Sequence, residues 1–165
     1  MGSVGKESTV NTYALFHGSP QSNISEFDIE KAGTNTSTGE KFLFFTDSRQ
    51  MADDFSYERL ETSSMFFNRK GQKGRVYEVE VTMKHPLDMT NPTAKDTENL
   101  IKVSNGELDK DMVERLSKGN NQLLKAYIDL DRISDYGYDG FIAKMNNKGD
   151  KEYAVISSSQ TKIRR

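Results

Sequence analysis

Apolar and polar positions alternate most cleanly from Val76 to Met83. Tyr77, Val79, Val81 and Met83 fall on one side, and Glu78, Glu80 and Thr82 on the other. A period of two predicts a strand with one buried face. Tyr13 to His17 and Lys41 to Phe45 are apolar runs too short for helices, and the second is rich in β-favouring aromatic residues, so both are read as strands. Elsewhere the spacing is helical. A short helix is expected in Ser22 to Ile29. Another should follow Thr46-Asp47-Ser48, where Asp47 and Gln50 have capping-box spacing and Met51, Ala52 and Phe55 share a face. Residues 93–135 read as a helical connection. In it Met112, Val113 and Leu116 fit one amphipathic helix, and Leu123, Leu124, Tyr127, Ile128 and Leu130 another. Phe141 to Lys144 and Glu152 to Ile156 read as closing strands around a loop at Asn146 to Asp150.

Turn chemistry punctuates these elements: a flexible loop at Gly33 to Gly39, a basic glycine-bearing turn at Arg69 to Arg75, Pro86 and Pro92, and a turn at Tyr136 to Gly140. The order is strand, small helix, strand, helix, long strand, helices, hairpin. It predicts an α+β fold, with a compact mixed sheet and most helices gathered in one connection. Residues 1–11 are small and polar and are expected to be a flexible lead-in to a single domain over 12–165.

Composition narrows the chemistry. The 165 residues are 34% apolar and 29% charged, which predicts a modest core with long solvated loops. A net charge of −2 gives no global pull toward nucleic acid or membranes. With Cys 0, disulfides, thiolate catalysis and cysteine zinc sites are excluded, and with His17 and His85 the only histidines, no metal site is expected. No apolar run approaches the ~20 residues of a membrane span, and Met1 to Val10 lacks a signal-peptide core. A cytoplasmic, membrane-free and monomeric protein is therefore expected.

The most informative residues are His17 and Gly18, behind the first strand. An imidazole there can bond a ribose hydroxyl, and a glycine lets a ligand approach bare backbone. Glycine patterns elsewhere give neither a P-loop nor a Rossmann fingerprint. Three segments together are more specific: His17-Gly18-Ser19-Pro20; Leu43-Phe44-Phe45-Thr46-Asp47 with Ala52 and Phe55; and Glu152-Tyr153-Ala154-Val155 with Gln160 and Ile163. In order and strand placement they resemble the three motif regions of NAD-dependent ADP-ribosyltransferases of the diphtheria-toxin and poly-ADP-ribose-polymerase branch, whose signature is histidine, tyrosine, glutamate. The chain looks most like the small ADP-ribosyltransferase domains of phage and bacterial polyvalent proteins. A long strand ending in a His-Pro step (here Val76 to Pro86) and a Tyr-Asp-Gly turn (Tyr138 to Gly140) belong to the same resemblance, which spans Tyr13 to Ile163.

The resemblance implies an α+β fold with a split mixed sheet, flanking helices and a cleft for NAD between the sheet halves. NAD would be the substrate and no metal would be needed. Glu152 would stabilise positive charge on the ribose, and His17 would bind a ribose hydroxyl. Gly18 would offer its backbone to the nicotinamide carboxamide and Ser19 a side-chain hydrogen bond. Phe44 would stack on the nicotinamide ring in place of the family's usual tyrosine, keeping the face and losing the hydroxyl. A shift of one position would pass that role to Phe45. The loop Gly33 to Gly39 has no second aromatic, for which Tyr57 is the substitute. The implied activity is mono-ADP-ribosyl transfer to a macromolecular acceptor (protein, RNA or DNA), toxin-like in character. An NAD glycohydrolase and a silent NAD- or protein-binding module are the alternatives. The basic residues Arg69, Lys70, Lys73 and Arg75, with Lys162, Arg164 and Arg165, would suit a nucleic-acid acceptor or simply form a solvated face.

Overall fold

The alternating segment becomes β5 (Arg75–Met83), which pairs along its whole length with β1 (Asn11–Ser19), from Asn11 opposite Met83 to Ser19 opposite Arg75. Tyr77, Val79, Val81 and Met83 are buried as the period of two requires, while Glu78 and Glu80 are exposed. The computed structural model describes residues 11–21, 24–27, 42–60 and 69–164. The expected lead-in through residue 10 and the loop Gly33 to Gly39 lie outside them, as does most of the helix expected at Ser22 to Ile29. Its described part, 24–27, is not helical.

Nine strands are described. β2 (Leu43–Thr46), β3 (Tyr57–Leu60), β4 (Arg69–Lys73), β6 (Pro86–Asp88), β7 (Gly140–Lys144), β8 (Lys151–Val155) and β9 (Thr161–Ile163) complete the set. Seven form one sheet in the order β6-β7-β8-β2-β1-β5-β9, antiparallel except for β6 with β7, and β3 and β4 form a separate ribbon. The helices are α1 (Arg49–Phe55), α2 (Ala94–Val103), α3 (Lys110–Lys118) and α4 (Asn121–Ala126), with short 3-10 helices at Leu130–Tyr136 and Ser158–Gln160. This is the α+β mixed sheet that the sequence predicts.

Each face of the sheet carries a core. On one, Phe141, Ala143 and Ala154 meet the helical connection through Leu100, Val113, Leu124 and Ile133. On the other, Leu15, Phe45, Val79, Val81, Ile142 and Tyr153 pack with Phe27. The sheet's weak seam lies between β1 and β2, whose pairing is confined to Phe16 opposite Thr46. Carried on past that pair, the antiparallel register brings His17 beside Phe45 and Gly18 beside Phe44, along strands that have already parted.

Four local expectations are corrected. Ser48, not Asp47, caps α1, its Oγ accepting from the Met51 amide at 3.2 Å. Asp47 is drawn instead to β8, where its carboxylate accepts from the Lys151 amide at 2.9 Å. The segment from Arg69 is not a turn as far as Arg75: it is strand β4, made by the pairing of β3 across from it, and the turn shrinks to Gly74, whose missing Cβ would lie 2.1 Å from the Ser19 carbonyl oxygen. The helix expected through Leu130 stops at Ala126, because Asp129 caps a new 3-10 turn at the Asp131 amide. The last paired strand ends at Val155, leaving Ile156 exposed.

Candidate active site

The seam positions the candidate residues. Glu152 opens the buried part of β8, opposite Thr46 of β2 and Ala143 of β7. Directly paired residues share a face, so Glu152, Thr46, Phe44, Phe16 and Gly18 belong to the helical side, whereas His17 and Phe45 belong to the other. The structure thus brings Glu152 and Phe44 together and sets His17 across β2 from them.

Glu152 is only 7% exposed. Its Oε1 accepts from Lys125 Nζ at 2.5 Å and from Gln122 Nε2 at 3.4 Å, both on α4. Lys125 Nζ also lies 5.9 Å from the centroid of Phe44 and 5.6 Å from that of Phe141. A cation over ring faces and against a carboxylate is favourable where water is scarce. Phe44 keeps part of its surface, while Phe45 is 3% exposed between the His17 and Phe27 rings. Of the two adjacent aromatics, Phe44 is the one with a face reachable from outside.

His17 sits with its ring edge-on to Phe27 at 4.8 Å and tilted against Phe45 at 5.5 Å. Nδ1 lies 2.8 Å from the Phe44 carbonyl oxygen. A carbonyl only accepts, so Nδ1 carries the proton and Nε2 is left as an acceptor. Burial lowers the imidazole pKa, with the carbonyl contact pulling weakly the other way, and the ring is neutral at pH 7.

Gly18 has a plain steric reason to be glycine: an added Cβ would fall 1.7 Å from the Ala52 carbonyl oxygen and 2.9 Å from the Ser56 amide. Helix α1 is seated directly on the end of β1. Ser19 is buried and its Oγ accepts from the Gln21 amide at 3.1 Å. Tyr57 opens β3 beside α1, with Lys73 Nζ 5.6 Å over its ring and paired to Asp53 at 2.8 Å. Phe55, at the end of α1, is 39% exposed.

The outlying motif segments meet in one clasp. The Asp139 carboxylate accepts from the amides of Lys84 and His85 at 2.7 and 3.0 Å, and Gln160 Nε2 donates to the carbonyls of Thr82 and Asp139 at 3.2 and 3.0 Å. Gly140 admits the Ala154 carbonyl, 2.1 Å from where its Cβ would be. The His-Pro step, the Tyr-Asp-Gly turn and Gln160 therefore hold β5, β7 and the chain's end together.

Lys125, Gln122 and Phe27 escaped the sequence reading. Phe27 had a signal, a lone aromatic in a polar stretch. Lys125 had none, because it lies 27 positions from its partner in a run read as amphipathic helix. Among the described residues, no helix is long and apolar enough to cross a membrane, and no group of three or more acidic or histidine side chains is arranged to hold a metal ion.

A family model described as ADP-Ribosyltransferase in polyvalent proteins matches residues 11–163. Among solved structures, one titled as the crystal structure of an anti-CRISPR protein is 15% identical, covers 93% of this chain and 96% of that chain, and aligns with a TM-score of 0.45. No curated protein matches.

Proposed function

Because the chain belongs to the ADP-ribosyltransferases of polyvalent proteins, we propose that it cleaves NAD at the β1–β2 seam, releases nicotinamide and passes ADP-ribose to a macromolecular acceptor. The observation that carries this reading is the buried carboxylate of Glu152, held beside a partly open aromatic ring next to the β1–β2 seam, where a single residue pair is described.

Each residue then has a task. As the bond from ribose C1 to the nicotinamide nitrogen breaks, its electron pair leaves with nicotinamide and positive charge grows on the ribose. Glu152 meets that charge, an interaction stronger in the transition state than in the bound substrate. Phe44 offers a ring face to the nicotinamide, and Tyr57, which opens β3 beside α1, is the second aromatic of the site. Gly18, beside Phe44 across the seam, offers backbone polar groups. An extended dinucleotide crossing the opening would reach the far face, where His17 Nε2 accepts from a ribose hydroxyl. The acceptor's nucleophile attacks C1 and loses its proton as the new bond forms.

The test is incubation with NAD labelled in its adenylate portion, in the presence of cell extract, comparing the native chain with Glu152→Gln. We expect nicotinamide release and label on a macromolecule, with both lowered by roughly two to four orders of magnitude in the variant while its melting transition persists. Label removed by protease identifies a protein acceptor, and label removed by nuclease a nucleic acid. Unchanged release by Glu152→Gln overturns the reading. Release with no labelled macromolecule makes water the acceptor and the protein an NAD glycohydrolase.

A further inference from the structure

Helix α4 is too short to be stable through propensity. Side chains stitch it in place. Asn121, 1% exposed, donates from Nδ2 to the carbonyls of Leu116 and Ser117 at 3.1 and 3.0 Å, and accepts from the Lys144 amide at 2.9 Å. Gln122 donates to the Lys144 carbonyl at 2.8 Å. With α4 fixed to the end of β7 in this way, its next turn delivers Lys125 to Oε1 of Glu152.

Resting on the reading of Glu152 above, we infer that Lys125 is a positioning residue: it holds the Glu152 carboxylate by Oε1, leaving the second oxygen to meet the substrate's ribose. The surroundings make this necessary. Glu152 has hydrocarbon neighbours on its face, Ala143 and Ala154 from the strands and Phe44 and Phe141 beneath the same ammonium. Without that ammonium the carboxylate would be an uncompensated buried charge, oriented among the described residues by the long Gln122 contact alone. Three other charged groups on the neighbouring elements have partners of their own among the described residues. Lys144 Nζ donates to the Lys118 carbonyl, the Asp47 carboxylate takes the Lys151 amide, and the Arg49 guanidinium lies 5.5 Å over the Phe16 ring. Gln122 is neutral, so among the described residues the charged contact of Glu152 is Lys125.

The experiment is nicotinamide release, with kcat and KM for NAD separated, in the native chain, Lys125→Met, Lys125→Arg and Glu152→Gln. Lys125→Met should lower kcat about tenfold at pH 7 with KM within about twofold. Lys125→Arg keeps the charge and the native kcat. Because the chain has no cysteine, Lys125→Cys can also be alkylated at one place to a side chain ending in an ammonium, which should restore kcat. A folded Lys125→Met with native kcat overturns the inference. So does one faster than the native chain, which would make the lysine a competitor for the substrate's cation. If neither uncharged variant folds, the lysine belongs to the architecture alone and the inference also falls. Full activity in Glu152→Gln would sink the reading of the site itself. An inactive Glu152→Gln beside an unmoved Lys125→Met sinks only the role of Lys125.

Discussion

Phe44 and Phe45 are neighbours on β2, yet the two faces they occupy treat polar groups in opposite ways. On the Phe44 face a buried carboxylate is left charged and matched with the Lys125 ammonium, which rests on the rings of Phe44 and Phe141. On the Phe45 face a half-buried imidazole has no ionic partner among the described residues and is wedged against Phe27 and Phe45 and bonded to a backbone carbonyl. One face preserves charge by pairing it, and the other removes charge by desolvation. The two arms of one proposed site should therefore answer differently to substitution and to pH. The carboxylate arm depends on a distant helix, and the histidine arm on the packing of β1.

The largest effect is expected at Gly18, where α1 lies against the end of β1. In Gly18→Ala the new methyl would overlap the Ala52 carbonyl, a backbone atom that cannot swing aside. A loss of about 3 kcal/mol of folding stability is expected by urea denaturation, typical of severe overpacking. The same change at Gly149, which has φ +92 and open space around it, should cost only about 1 kcal/mol, the strain of a left-handed backbone. Equal losses at the two sites would mean that α1 is not seated on β1 as described.

That glycine also shows where sequence reading reaches and where it stops. His17-Gly18 drew notice as a shelf for a ligand, and the period of two at Val76 to Met83 identified the strand that supports it. Both are local patterns, and strands and their faces were legible for that reason. The packing of α1 on Gly18 was not, since the partner lies 34 positions away and nothing in Ala52 announces it. Asp47 is similar: its spacing to Gln50 imitates a helix cap, but β8 competes for its carboxylate and wins, leaving Ser48 to cap. The short strands β3, β6 and β9 take their form from pairing rather than composition, and three or four residues carry too few positions for a period to show. Lys125 is the extreme case. Its role depends on where the helix α4 lands, which is fixed by the side chains of Asn121 and Gln122 on a strand more than twenty residues further on.

The histidine arm sets the next test. Burial lowers the native pKa of His17, so between that value and the ordinary value of about 6.5 the unfolded chain binds a proton that the native chain does not. Its stabilising contribution is whole above pH 6.5 and falls as pH falls through the window, by about 1.4 kcal/mol per pH unit at most for this one group. Urea midpoints measured from pH 7.5 to 5 should reveal that slope in the native chain and lose it in His17→Gln. A slope unchanged in His17→Gln would mean that the ring titrates freely and that the β1 face is wetter than its aromatic packing implies.

The finest test separates the two phenylalanines themselves. Leucine keeps most of the apolar volume of phenylalanine but has no ring face for a nicotinamide or an ammonium. Phe44→Leu should weaken NAD binding by several-fold, the equivalent of about 1 kcal/mol of stacking, with little change in the urea midpoint because the ring is only partly covered. Phe45→Leu should do the reverse: affinity within about twofold, and a midpoint lowered by the loss of ring contacts to His17 and Phe27. Titration of each variant with NAD by calorimetry, beside its denaturation curve, gives both readings. If Phe45→Leu weakens NAD binding more than Phe44→Leu, the stacking surface lies on the histidine face, and the carboxylate and its lysine would then be acting across β2 from the ring they were thought to accompany.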